Sequence, residues 1–236
     1  MQTDAPSHQV EIWRFSLSLS DALRHYYRQQ LPTNEQAQLE SINHPKLQQQ
    51  WLCSRGILRC ALAAKFNQPA QSFTIIVNEF GKPMLDDTAG QFCEFNLSHS
   101  NAYGVLALCE TAPVGIDLQF MRQSINPIEF SQRFFSPHET QCLQACASAT
   151  EQMALFYRLW TGKEALLKAL GKGIVLEDLK TNIIPDNQLD SRATVSINGQ
   201  ICSLNTLPAW SNYQWSVCAL ADSLTPRWHD WHHPSI

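Results

Sequence analysis

No apolar run of about 18 residues occurs anywhere in the 236-residue chain, which excludes a conventional membrane-spanning helix. Positive charge is also short. Lys and Arg total 17 against 21 Asp and Glu, and the net charge of −4 argues against general nucleic-acid binding, which wants a broad basic surface. Eight cysteines are present (Cys53, Cys60, Cys93, Cys109, Cys142, Cys146, Cys202 and Cys218), but no C-x-x-C pair. Lying mostly within apolar periodic segments, they read as reduced core thiols. A Walker-type G-x-x-x-x-G-K is absent, so a nucleoside-triphosphate enzyme is not expected. A low-complexity tract is absent too, and with 44% apolar residues the chain can bury a sizeable core, as one large domain or two small ones. The segment from Met1 to His8 lacks the charged-then-apolar layout of a signal peptide. The missing membrane span and signal-peptide layout predict a cytoplasmic protein, and reduced thiols fit that.

What is present centres on Trp160-Thr-Gly-Lys163-Glu164-Ala-Leu-Leu-Lys168. This stretch predicts one helix, in which Trp160, Glu164 and Lys168 are spaced four apart and share a face. An aromatic, an acid and a base on one stripe fill a core poorly, but can hold a metal and a proton beside a phosphate. About 45 residues earlier, Val114-Gly115-Ile116-Asp117-Leu118-Gln119 predicts a short strand. Asp117 and Gln119 point to one face of it, Ile116 and Leu118 to the other. A metal site between strand and helix would unite Asp117 with Glu164. The competing reading of Glu164 is a solvated helix carboxylate paired with Lys168 at i,i+4. Spacing alone favours that reading, and the wider motif context favours the metal.

The same order of elements occurs twice. A helix over about residues 48–66 is followed by Phe73-Thr-Ile-Ile-Val77, Phe95-Asn-Leu97 and Tyr103–Cys109; a helix over about 150–170 is followed by Ala193–Ile197, Ile201–Leu204 and Tyr213–Leu220. Asn198-Gly199 between two alternating runs is a strong hairpin signal. Helix then three strands, twice over, predicts an α+β fold of two pseudo-symmetric subdomains, each a helix packed on a small, mainly antiparallel sheet. The join falls near Thr111-Ala112-Pro113, dividing the chain into residues 1–112 and 113–236. Thr33-Asn34-Glu35-Gln36 and Ser136-Pro137-His138-Glu139 both fit a helix-starting capping box, and Gly171-Lys172-Gly173 a helix end.

These segments resemble the signatures of the surfactin-type (Sfp-like) 4'-phosphopantetheinyl transferases. That family carries a G-[IV]-D segment, usually followed by X-Glu, and W-x-x-K-E-A-x-x-K about 40 residues on. Gly115-Ile116-Asp117-Leu118-Gln119 and Trp160 to Lys168 match them. Gly81-Lys82-Pro83, Asn96-Leu97-Ser98-His99-Ser100 and Arg133-Phe134-Phe135-Ser136-Pro137 match three further segments in order, so the resemblance spans roughly residues 31 to 221. Gln119 departs from it, standing where most members carry Glu.

The resemblance implies two similar subdomains with coenzyme A in the cleft between them. It also implies Mg²⁺ as cofactor and transfer of the phosphopantetheine arm to a serine of an apo acyl or peptidyl carrier protein. Asp117, Glu164 and Gln119 become the metal set. Mg²⁺ takes oxygen ligands and keeps several waters, so one or two carboxylates plus substrate phosphates suffice. With an amide at position 119, weaker metal binding is expected than from a three-acid site. Glu164, Lys168 and Asp117 form the catalytic set, with Lys168 stabilising or protonating the phosphate that leaves. The ligand-binding set is Arg55, Lys82, Ser98 and His99, followed by Arg59, which is four residues from Arg55 and shares its helix face. Lys163, about 100° round the helix from Glu164, faces solvent, the carrier or the ligand and ranks below Lys168.

Ser98-His99 with Asp117 also invites a hydrolase reading. Adjacent strand residues point to opposite faces and no G-x-S-x-G elbow is present, so a phosphate-binding pair fits better. His229-Asp-Trp-His232-His233 reads as a loose tail past the last strand. Residues 120–135, with Arg122 and Arg133 among apolar side chains, offer a carrier-docking patch or plain core packing by Phe134 and Phe135. A monomer is expected. The reading from another class is a non-catalytic coenzyme A-binding or scaffold relative, its metal site decayed at Gln119.

Overall fold

The computed structural model describes residues 8–86, 92–173, 176–184 and 191–234. The N-terminal segment without a signal-peptide layout, apart from His8, lies outside that set. Strand β1 (His8–Ser16) opens the chain, followed by helices α1 (Asp21–Gln29), α2 (Thr33–Ser41) and α3 (Pro45–Phe66). Strands β2 (Ile75–Val77), β3 (Pro83–Leu85), β4 (Glu94–Ser100), β5 (Tyr103–Cys109) and β6 (Val114–Phe120) come next. After them lie α4 (Pro127–Phe134), α5 (Pro137–Gln144), α6 (Ala149–Leu170) and α7 (Leu176–Leu179). The chain ends with β7 (Arg192–Ile197), β8 (Gln200–Trp210), β9 (Tyr213–Ala219) and β10 (Leu224–Asp230).

The fold is α+β. One sheet has the order β10-β1-β5-β4 and a second the order β6-β9-β8-β7, all antiparallel except the parallel β1–β10 pair. Each sheet carries one 22-residue helix, α3 or α6. Along β5, Leu106 and Leu108 face α3, whereas Val105, Ala107 and Cys109 face the second sheet. On β6, Val114, Ile116 and Leu118 fill that same middle layer. The result is helix, sheet, sheet, helix, with apolar cores in all three interfaces. Strands buried on both faces read as continuous apolar runs, as Val-Leu-Ala-Leu-Cys does on β5.

Both long helices form where the periodicity places them, and α6 stops at Gly171, which adopts the left-handed conformation with φ 69°. Asn198 and Gly199 both take positive φ in the β7–β8 turn. The capping box at Ser136 is complete: its side chain accepts from Glu139 N, and Glu139 accepts from Ser136 N. The other box does not form. Pro32, extended, is the cap of α2, so Thr33 is already helical and Gln36 turns back to donate to Leu31 O at 2.9 Å.

Two more expectations are corrected. The run Phe73–Val77 gives only three-residue β2, paired with β3 in a separate ribbon and largely exposed. The C-terminal histidines are not a loose tail. His229 lies within β10 and meets Glu11 Oε2 at 2.9 Å, while Tyr27 Oη contacts His233 Nδ1 at 2.8 Å and accepts from Trp231 Nε1 at 3.0 Å. Because β10 pairs with β1, the segment after it is led onto α1 and held there by Tyr27. Of the two readings of Phe135, core packing is the outcome: it is buried and stacked on Phe156 at 5.7 Å. Among the described residues, no helix is long and apolar enough to cross a membrane, and all eight cysteines are free.

Candidate active site

Gly115 decides how close helix and strand can come. A Cβ there would lie 2.1 Å from Ala165 O and 2.3 Å from Ala169 N, so only glycine lets the backbone of α6 pack directly on β6. That contact brings the strand's Asp117 into reach of the helix's Glu164 and Lys168. Lys168 Nζ sits 2.6 Å from Asp117 Oδ1 and also donates to Ser98 Oγ at 3.2 Å and to Ile116 O at 3.3 Å. Ser98 Oγ donates to the same Asp117 oxygen at 2.9 Å, and Gln119 Nε2 donates to Asp117 Oδ2 at 3.0 Å. Asp117, Gln119, Ser98 and Lys168 therefore form one polar cluster.

Glu164 stands beside it and is treated differently. It is 8% exposed, and its Oε1 is buried with no hydrogen-bond partner. Burial pushes its carboxyl above the usual value. The Asp117 charge adds to the rise, and the Lys168 ammonium partly offsets it. A buried carboxyl oxygen without a partner is costly for folding alone and fits a site meant to receive a ligand. Among the described residues no group of three His, Cys, Asp or Glu side chains converges. The oxygen-bearing groups gathered here are two carboxylates, Asp117 and Glu164, and the Gln119 amide, the hard type of ligand that Mg²⁺ takes.

Across β4 from this cluster lies a cavity of about 460 Å³, lined by Trp51, Ser54, Arg55, Pro83, Leu97 and His99 among others. Ser54 Oγ is buried there without a partner. Arg55 is held by Glu35, with Nε 3.5 Å from Oε1, and its guanidinium stands 5.4 Å from the Trp51 ring centroid. Burial, then the Lys168 cation, lowers the basicity of His99. Lys82 is aimed by a fixed turn in which Asn78 Oδ1 accepts from Phe80 N and Lys82 N. Its ammonium reaches Glu94 Oε2 and Val114 O, both at 3.2 Å. Asn78 also donates to Gly171 O at 2.8 Å, which pins that turn to the end of α6.

Two predicted members, Arg59 and Lys163, lie apart from these groups, as does Trp160 on the same helix as Lys163. Arg59 is 1% exposed and spends its guanidinium on Glu35, bidentate at 2.6 and 2.8 Å, and on Ala70 O and Phe73 O at 2.7 and 3.1 Å. It staples α2 to α3 and has no face toward the cavity. Lys163 is equally buried, 2.7 Å from each of Glu139 Oε2, Leu179 O and Thr181 O, so its three protons are used within the fold. Burial lowers its pKa, and Glu139 holds it partly up. Trp160 joins the aromatic cluster with Phe130 and Phe135, at 5.0 and 6.5 Å. Sequence reasoning missed Glu35, Ser54 and Trp51. Glu35 was absorbed into the capping-box reading, and a serine or tryptophan on a helix carries no local signal of a cavity.

Comparison with known proteins places these features in a family. Residues 113–221 match the 4'-phosphopantetheinyl transferase superfamily, and residues 20–111 match the N-terminal region of a 4'-phosphopantetheinyl transferase. The chain is 30% identical over 210 residues to the 4'-phosphopantetheinyl transferase HetI of Nostoc sp., covering 87% of this chain and 81% of the relative. With slr0495 of Synechocystis sp. it shares 36% identity over 163 residues, 69% of this chain and 65% of that relative. With Sfp of Bacillus subtilis it shares 28% over 165 residues, 69% and 70% of the two chains. The chain belongs to the 4'-phosphopantetheinyl transferase superfamily, of the Sfp type. It is a transferase of the class that moves phosphopantetheine to carrier proteins.

Proposed function

We propose that this transferase uses coenzyme A bound across the two halves and passes its 4'-phosphopantetheine arm to the serine of an apo carrier protein, with Mg²⁺ as cofactor. One observation carries the assignment of the centre: Glu164 presents a buried, unpartnered oxygen beside Asp117. Asp117 and Glu164, with Gln119 supporting them, would hold the ion. When bound it supplies positive charge against the diphosphate and its developing negative charge. Glu164, kept basic by its raised pKa, accepts the proton of the incoming serine hydroxyl. The serine oxygen forms a bond to the β-phosphorus, the bond to the bridging oxygen breaks, and adenosine 3',5'-bisphosphate departs with its charge met by Lys168.

The unpartnered Ser54 hydroxyl, Arg55 and His99 support a nucleotide in the first-half cavity. The division at residues 112 and 113 then separates nucleotide-side contacts from the metal site and catalytic helix, although β10 returns to the first sheet. For the carrier we assign the surface after β6. Exposed Arg133 and half-buried Ile125, Phe130 and Phe134 line a cavity of about 160 Å³ there, and Arg122 on the same segment is also exposed. A cytoplasmic monomer completes the reading.

The test is the intact mass of apo carrier protein after incubation with the protein, coenzyme A and Mg²⁺. A gain of one phosphopantetheine arm that disappears with EDTA is expected. No gain on acyl and peptidyl carriers alike, with coenzyme A still bound, would leave only a binding role. A gain indifferent to EDTA would remove the metal.

A further inference from the structure

Strand β4 divides its residues between two tasks. Leu97 and His99 line the nucleotide-sized cavity, while Asn96, Ser98 and Ser100, alternate along the strand, turn toward β6. β4 is the edge of the first sheet and β6 the edge of the second, yet the two do not pair as strands. Instead, Ile116 N donates to Asn96 Oδ1 at 2.9 Å, Leu118 N to Ser98 Oγ at 3.2 Å and Phe120 N to Ser100 Oγ at 2.9 Å. All three bonds span the same 20 residues. On the same strand, the carbonyls of Val114 and Ile116 are met by the ammonium groups of Lys82 and Lys168. Side chains thus replace the ladder that two edge strands would otherwise form. A side chain between two backbones holds them wider than the roughly 4.8 Å of a ladder. Within this seam Ser98 Oγ and Lys168 Nζ both reach Asp117 Oδ1, at 2.9 and 2.6 Å.

We propose that Asn96 and Ser100 are positioning residues for the reaction. With Ser98 between them they form a polar zipper that fixes the register of β6, and so the place of Asp117 and Gln119, against the cavity of the first half. The proposal rests on the transferase function proposed for this site. Strand side chains alternate, so a slip of one residue would present Ile116 or Leu118 where Asp117 stands. A slip would also strand buried N–H groups without acceptors, which the three bonds resist together. Because His99 lies between two zipper residues, the strand that contacts the nucleotide also sets the distance to the metal carboxylates.

The experiment uses the full chain and three variants, Ser100→Ala, Asn96→Ala and Ser100→Thr, none altering a residue assigned to the catalytic or ligand-binding set. Transfer kinetics are measured against coenzyme A and Mg²⁺ concentration, and amide hydrogen exchange is followed at Ile116 and Phe120. For the alanine variants we expect kcat to fall about tenfold or more. KM for coenzyme A should stay within about twofold, because the cavity side chains are untouched. Half-maximal activity should need more Mg²⁺, and the freed amide should exchange faster. Ser100→Thr, which keeps the hydroxyl, should recover kcat and protection. Unchanged kcat in Ser100→Ala, an equal loss in Ser100→Thr, or a loss confined to KM would overturn the proposal. If the natural chain transfers nothing, the functional reading falls, and exchange still decides the zipper: an unchanged Phe120 amide in Ser100→Ala rejects it.

Discussion

Glu164 sits in the fold at a cost that its chemistry explains. Its carboxyl is raised above the ordinary 4.5 by burial first and the Asp117 charge second. An acid whose folded value is raised binds its proton more tightly in the native state than in the unfolded chain. The stability this brings is full below the unfolded value and is lost as pH rises through the folded one. In metal-free protein near neutral pH, Glu164→Gln should therefore raise the melting temperature, and the gain should vanish in acid. The same variant should lose transfer by on the order of 10²–10⁴-fold while still binding adenosine 3',5'-bisphosphate. Full activity would remove Glu164 as the base; an unchanged melting temperature at neutral pH would mean its charge is already compensated. Gln119 gives the complementary case. Its amide nitrogen donates to Asp117 Oδ2, a bond that a carboxylate cannot make. Gln119→Glu should destabilise the metal-free protein and lower the Mg²⁺ needed for half-maximal activity by roughly 10-fold or more. A magnesium titration that superimposes on that of the natural chain would show position 119 to be outside the metal's reach.

Between β6 and α6 the decisive element contact has no side chain in it at all. Gly115→Ala would set a Cβ against backbone atoms of Ala165 and Ala169, which cannot rotate away. The helix must shift, carrying Glu164 and Lys168 off Asp117. A displacement of about 1 Å can cost on the order of 10²-fold in rate. We expect that loss in transfer, with nucleotide binding in the first-half cavity kept; normal transfer would show that α6 can tilt without penalty. The close approach at Gly115 was not legible in the sequence, whereas the helix from Trp160 to Lys168, the Asn198-Gly199 turn and the cap at Ser136 were. Each of those three is written in neighbouring residues. The features that were not legible depend on partners distant along the chain. Arg59 and Lys163 occupy helix positions whose face the spacing gives, but Glu35 on α2, and Glu139 with the carbonyls of Leu179 and Thr181, decide that those faces are interior. β10 contains Pro226 and is largely exposed, and its pairing with β1 joins opposite ends of the chain. Neither segment carries a local mark of that pairing.

At the scale of the whole molecule, the two halves share a layer that belongs to neither. Val10, Ile12, Val105 and Ala107 from one sheet, and Ile116, Leu118, Trp215 and Val217 from the other, bury one another almost completely. The β1–β10 pair adds a second link by returning the last strand of the second half to the first sheet. A half cut away at residue 112 would expose one side of that layer and lose an edge partner, so neither half should unfold alone. Ile116→Ala tests this, because it removes fully buried atoms from the shared layer without touching α3 or its core. Truncation of a buried isoleucine costs about 2–5 kcal/mol. If the layer couples the halves, that loss should appear equally in the amide exchange of α3 and of α6, within one unfolding transition. Exchange that accelerates in α6 while α3 keeps its protection would instead make the halves separate cooperative units. The distance between the first-half cavity and the Asp117 and Glu164 carboxylates would then rest on the β4–β6 zipper alone. With coupling present, a nucleotide bound in the first half should raise the melting temperature of α6 as much as that of α3, since ligation of one cavity stabilises whatever unfolds with it.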